Sequence, residues 1–345
     1  MKKALLLLAC TLTVFLVPAF AQINSLRFDK TNCTRFEHAV HRITVFDQRP
    51  AKEEIMGWMK VRYTTAPIVA KQTLKKSLEQ YFLDLSKGLP ADTGSGLLLI
   101  LHRFYLSERD QTDRTAFHFA ADYFIPFDGK RYLLLGSVDT TIRAKVAHLK
   151  ELSLNSVDNC ICFLYEELFQ TPADSTRTFS MDEARNYLNE KKNKIPAYGT
   201  PVLQDGVYQE WDDFLRQHKK ENEVPVRQGN KIRVMHKTQK KASFESGFAR
   251  VYVQDGMAYY NFEGLLYPME RIDGDYFINA RVGDSNHDAL MLLSMGGAVM
   301  GAIAGVAAQS LQKENVTFLV DYKTGRLFKV KDSEQTAIHP LKVIL

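Results

Sequence analysis

The sequence predicts an α+β protein in two parts: an antiparallel sheet with helices on one face (ββαβββα), then a small β-rich domain carrying a glycine-zipper helical insert. Three observations predict it. Residues 96–144 hold three long apolar segments, two of them joined by Asp128-Gly129. Segments of helical period stand on either side of them. From Pro201 onward, short strands follow one another behind further Asp-Gly turns. A chain of 345 residues also exceeds what one core usually organises.

The amino terminus reads Met1-Lys2-Lys3, an apolar run from Ala4 to Val17, then Pro18-Ala19-Phe20-Ala21-Gln22. That is the three-part pattern of a secretory signal peptide over residues 1–21, cut after Ala21. The run is too short for an efficient membrane span. Leu7-Leu8-Ala9-Cys10 has the local form of a lipoprotein cleavage site but leaves too little apolar chain ahead of the cysteine. Export implies an extracytoplasmic protein, periplasmic or associated with the outer membrane. Cleavage removes two lysines and no acid, so the formal charge falls from +5 to +3. That balance points away from nucleic acid, whose binders concentrate basic residues on one face. Lys191-Lys192-Asn193-Lys194, Lys219-Lys220 and Lys240-Lys241 read as solvated surface, with anionic headgroups as the sharper alternative.

The first domain covers residues 22–170. Residues 42–48 alternate like a half-buried strand and stop at Arg49-Pro50, with Asp47 and Arg49 read as a structural ion pair. Ile55–Arg62 fits a second strand. Pro67 is expected to open a helix whose Leu74, Leu78, Tyr81, Phe82 and Leu85 form one apolar face, ended by Gly88. Gly96–Ser107 is apolar enough to be covered on both faces. Ala116–Phe127 alternates, and Arg131–Ala144 returns after the hairpin turn. Val157, Cys160, Ile161, Leu164 and Leu168 mark a closing helix.

Residues 171–200 read as a linker and a polar helix, begun by the capping box Ser180-Met181-Asp182-Glu183 and expected to lie on the surface. The domain 201–345 follows. A short helix is expected in Val207–His218, and strands at Lys231–Lys237, Phe248–Gln254, Met257–Asn261, Gly264–Pro268, Tyr276–Val282, Val316–Tyr322 and Arg326–Lys331.

The apolar insert, 286–312, is the most informative segment. Ala289 to Gln312 is 24 residues without a formal charge, and Gly297, Gly301 and Gly305 are spaced four apart. Such glycines share a helix face and let a second helix approach closely. Each lowers helix stability by about 1 kcal/mol relative to alanine, so a contact must offset the cost. Three readings compete: a single membrane span, a helix or helical hairpin that dips into a membrane or pairs with another copy, and a helix buried in its own domain. The second is preferred, because one crossing would part the final hairpin from the strands it joins.

Three cysteines follow the cleavage point. In an oxidising compartment a bridge would join Cys33 to one of the helix cysteines, with Cys33–Cys160 the pairing taken; the alternative is three small buried side chains. No zinc-protease, nucleophile-elbow, phosphate-loop or dinucleotide motif occurs, so the sequence points away from an enzyme and implies no metal and no cofactor. His38 and His41 lack a third ligand at fixed spacing. Asp284-Ser285-Asn286-His287-Asp288 starts like a calcium loop but has Ala289 and Met295 where glycine and glutamate are needed.

Two resemblances attach to these residues. Val45-Phe46-Asp47-Gln48-Arg49-Pro50 leading to Ile55-Met56-Gly57 resembles the domain of transporter-auxiliary and related periplasmic envelope lipoproteins. The second half resembles a group of secreted proteins common in the Bacteroidetes. That resemblance rests on Asp205-Gly206-Val207-Tyr208, Trp211, Phe214-Leu215, the Tyr252–Asn261 strand pair, the glycine-rich insert and Val320-Asp321-Tyr322-Lys323-Thr324-Gly325. It implies an envelope protein and carries over no catalytic residues. The expected function is non-enzymatic contact with the membrane, an envelope protein or another copy through residues 289–312. The alternatives are a periplasmic enzyme such as a hydrolase, with a site assembled from distant residues, and a small-ligand carrier.

Overall fold

The computed structural model describes residues 25–26, 37–50, 55–61, 64–70, 73–89, 95–107, 115–144, 161–162, 164–170, 177–228, 231–236, 249–262, 265–282, 314–332 and 341–344. The expected signal peptide, the glycines at 297, 301 and 305, and Cys33 and Cys160 lie outside them. The protein is α+β and dominated by strands, which among the described residues form two sheets of eight and ten strands.

The first sheet contains β1 (Ser25–Leu26), β2 (Val40–Asp47), β3 (Ile55–Val61) and β4 (Thr64–Ala70). After helix α1 (Leu74–Leu85) come β5 (Ser95–Ser107), β6 (Thr115–Pro126) and β7 (Tyr132–Ala144). A helix α2 over residues 161–162 and 164–170 leads on to β8 (Thr178–Phe179). The antiparallel meander β5–β6–β7 is its spine. β2 and β3 run parallel to β5 and share one of its edges in succession. Asp47 pairs with Leu101, and Gly57 and Trp58 pair with Leu106 and Ser107. A Cβ on Gly57 would stand 1.9 Å from the Leu106 carbonyl oxygen, so only glycine permits this junction.

Pro67 does not open a helix. It lies in β4, opposite Trp58 of β3, and the helix starts at Leu74 behind a Thr73 cap. Among the described residues β4 meets only the two residues of β1 on its other side, at Val69 and Ala70. A proline with no ladder partner on one side costs no hydrogen bond there.

Alternation along β5 sorts the two faces. Leu97, Leu99 and Leu101 point into a core with Phe117, Phe119 and Tyr123, covered by Leu78, Tyr81 and Phe82 of α1 and by Ile161, Cys162 and Tyr165 of α2. Leu98 and Ile100 point the other way, onto Phe124, Phe179 and Ala184. The expected burial of this run on both faces is found. Cys162 is disulfide-bonded, with its partner outside the described residues, so the bridged cysteine seen here is the second of the two helix cysteines.

Helix α3 (Met181–Asn193) has the expected capping box: Glu183 N–H donates to Ser180 Oγ, and Ser180 N–H to Glu183 Oε2. It is not merely a surface connector. Ala184 and Lys192 are buried, Tyr187 packs edge-on against Phe124, and the short α4 (Pro196–Gly199) continues from it into the second half.

That half runs β9 (Gly206–Tyr208), α5 (Trp211–Arg216), β10 (Glu223–Gln228), β11 (Lys231–His236), β12 (Val251–Gln254) and β13 (Met257–Phe262). It continues with β14 (Leu265–Ile272), β15 (Asp275–Val282), β16 (Glu314–Val320), β17 (Leu327–Asp332) and β18 (Leu341–Ile344). β12 through β17 pair consecutively and antiparallel. The Asp255-Gly256 and Asp273-Gly274 turns have both residues at positive φ, the geometry that matches strand twist in two-residue hairpins. β10 escapes sequence reading because Pro225 interrupts it, which its place at the end of the sheet tolerates. One face buries Tyr208, Phe214, Tyr260, Tyr276 and Ile278; the other buries Val207, Ile232, Tyr252 and Leu266.

Candidate functional site

A cleft of about 430 Å³ opens where the two sheets and α3 meet. Its floor is the face of β5–β7 beyond the Leu98–Ile100 patch, and a β-bulge makes it polar. The register with β6 slips between Leu101 and Arg103, leaving His102 as an extra residue. A bulge of this kind places two consecutive side chains on one face. Before it, odd-numbered residues of β5 enter the main core; after it, Phe104 and Leu106 do. His102 and Arg103 therefore both face the cleft.

Across the strands, each meets acids in the neighbouring register rows. Asp122 of β6 lies opposite Ser137 of β7, and Ala120 separates Arg103 from Asp139. His102 Nε2 stands 2.7 Å from Asp122 Oδ2, while the Ser137 hydroxyl donates to Asp122 Oδ1. Lys191 Nζ of α3 donates to Ser137 Oγ at 3.0 Å. Arg103 reaches over the small Ala120 to Asp139 at 3.3 Å and also donates to Asp321, which lies just after β16. Lys323 returns to Asp139 at 2.8 Å. Lys192 donates to Asp275 at 2.5 Å. The buried lysine corrects the expectation of a wholly solvated Lys191–Lys194 cluster: the last turn of α3 inserts into the junction.

Arg103 is 13% exposed and Asp321 3%, so this pair is largely removed from water. Desolvation offsets most of the attraction in such a pair, but deleting one partner orphans the other. The pairs therefore specify how the halves meet more than they stabilise them. Apolar contact completes the junction: Phe328 packs edge-on against Tyr105 at 5.1 Å and His118 at 4.8 Å. Burial, then the nearby Asp139, pushes the Tyr322 phenol well above its ordinary value and keeps it protonated.

Residues singled out in sequence converge here. Asp47 and Arg49 form the expected ion pair, at 2.8 Å, and line the cleft with Gln48 and Pro50. Asp321–Gly325 is a turn on the opposite wall. Asp321 Oδ2 accepts from Thr324 N–H at 3.2 Å, and Gly325, at φ +65°, lies so close to Trp211 that a Cβ would stand 2.5 Å from that ring. Trp211 Nε1–H donates to the Tyr322 carbonyl at 3.0 Å, and the Tyr260 hydroxyl to the Gly325 carbonyl at 2.7 Å. Asp205 Oδ1 accepts from Gly256 N–H at 2.9 Å. Trp211, Tyr260 and the Asp321–Gly325 segment of that motif thus pack together around a turn that presents Asp321 to Arg103.

Sequence reasoning missed His102, Arg103, Asp122, Ser137 and Asp139. The signal was two successive polar residues, His102 and Arg103, in an otherwise apolar strand, and an aspartate within the aromatic-rich β6.

Asp122 sits between His102 and Ser137, so hydroxyl and imidazole both hydrogen-bond the carboxylate. In a serine–histidine–acid relay the imidazole occupies the middle. This order does not let the histidine take the serine's proton. His38, read as a surface histidine, meets Glu166 at 2.7 Å and stacks on Phe169. Among the described residues no group of three or more His, Cys, Asp and Glu side chains is placed to hold a metal ion, and no helix is long and apolar enough to cross a membrane.

No family model and no curated protein matches the chain. Among solved structures it is similar to protein XCC0632 from Xanthomonas campestris, a DUF330 protein, at 14% identity over 40% of this chain and 93% of that one, with a TM-score of 0.23.

Proposed function

We propose that this is a non-catalytic envelope protein, exported from the cytoplasm, in which the two joined sheets form a platform and residues 289–312 make contact with a membrane or a protein partner. One observation carries the reading. β15 and β16 pair without interruption from Tyr276↔Val320 to Val282↔Glu314. Val282 and Glu314, which flank the segment, are therefore neighbours at the end of a seven-pair ladder. A single membrane crossing would separate those two ends, which favours a contact element that goes out and comes back. The charge-free composition and the four-residue glycine spacing give such an element a surface for close helix packing. The order of Asp122, His102 and Ser137 lends no support to the hydrolase alternative.

The test replaces residues 283–313 with Asp-Gly, which closes the β15–β16 ladder with a two-residue turn. The platform should fold with an unchanged thermal midpoint, and the protein should move from the membrane fraction or oligomer to soluble monomer. A shortened protein with unaltered fractionation and sedimentation overturns the proposal.

A further inference from the structure

The cleft holds charges that its own pairs do not use. Arg49 is neutralised by Asp47, Arg103 by Asp139 and Asp321, Lys192 by Asp275, and Lys323 by Asp139. Two cations of the lining remain, both on α3. Among the described residues Lys191 meets no carboxylate: its ammonium donates to Ser137 and lies 4.1 Å from the Tyr187 ring centre. Arg185 lies over the Phe46 ring, and its nearest carboxylate is the exposed Asp182 at 4.0 Å. Across the cleft, Asp273 in the β14–β15 turn has no cation partner among the described residues.

We propose that the cleft is a binding site for a small organic carboxylate, held by Lys191 and Arg185. The volume falls within the usual range for small-ligand sites, about 300–1,000 Å³. Charge selects the ligand class. The lining carries six cationic side chains and six carboxylates, so its formal balance is zero. A carboxylate with one charge finds Lys191 without a carboxylate and Arg185 held only by the exposed Asp182, whereas a phosphate dianion brings twice the repulsion from Asp122. The unpaired Asp273 gives a place for an ammonium group, which favours amino acids over simple acids. Sugars have less purchase, because cations already cover the aromatic rings: Lys75 and Arg185 lie over Phe46, and Lys192 and Lys323 over Tyr322. The site is independent of the role proposed for residues 289–312.

The experiment is calorimetric titration of the mature chain with glycine, acetate, succinate and inorganic phosphate in separate arms. Saturable binding of at least one carboxylate, tighter than phosphate, is expected. Lys191→Gln should weaken it tenfold or more, as should Arg185→Gln as a second variant, while Lys130→Gln in the exposed β6–β7 turn should leave it unchanged. Circular dichroism confirms that each variant folds. Glycine binding more tightly than acetate supports Asp273 as the ammonium partner. Absence of saturable heat with every carboxylate, phosphate binding most tightly, or carboxylate binding unaltered in both α3 variants overturns the proposal.

Discussion

The two faces of β5–β7 are built from the same strands and work by different physics. One face is aromatic and aliphatic: Phe104, Phe117, Phe119 and Tyr123 lie under two helices, all at most 2% exposed. The other, past the bulge, is ionic: His102, Arg103, Asp122 and Asp139 lie under the second half of the chain. Apolar burial is non-directional and tolerates many arrangements of similar volume. Ion pairs out of water tolerate few. The first face holds the domain together, and the second fixes the position in which the other half docks.

Substitutions that act on one face at a time sharpen the contrast. Phe119→Ala should cost about 3–5 kcal/mol by leaving a cavity in the aromatic cluster, read as a lowered urea midpoint without change in the junction. Arg103→Met keeps the volume but leaves Asp321 buried without its cation, at a cost of about 3 kcal/mol. Its signature differs: the second half should become protease-sensitive before the first, whereas a single concerted loss would erase the distinction between the faces.

The buried phenols give a pH test. Burial pushes Tyr208 and Tyr252 up to about 12 from an ordinary 10.0. Their folded-state values are raised, so the stability they contribute is complete below pH 10 and is lost as pH rises through about 12. Ultraviolet titration should show these phenols ionising only with unfolding; ionisation near pH 10 in the folded protein would contradict their burial. The smallest effect is Ser180→Ala, about 1 kcal/mol from loss of the α3 cap, visible as a lower thermal midpoint.

The contrast also explains what could be read from sequence. A continuous apolar run located β5, and alternation and Asp-Gly turns located β6, β7 and most strands from β11 to β17, because all are local signals. The parallel placement of β2 and β3 on one edge of β5 was invisible, since it depends on Gly57 approaching the Leu106 carbonyl. Pro67 misled because its fixed φ suits a helix start and an edge strand equally. At the cleft, the Asp47–Arg49 pair was legible as neighbours two residues apart. Arg103–Asp321 was not, because 218 residues separate the partners and only the bulge at His102 aims the arginine at them.

The contact proposed for residues 289–312 depends on bare backbone rather than on greasiness alone, and that distinction can be measured in the full-length chain. Replacing Gly297, Gly301 and Gly305 together with leucine raises the apolar content while filling the helix face. Sedimentation and membrane co-pelleting should then show association reduced at least tenfold, with the far-ultraviolet spectrum of the platform unchanged. Association equal to or stronger than that of the parent would contradict the account, because it would mean that hydrophobicity without close approach is sufficient.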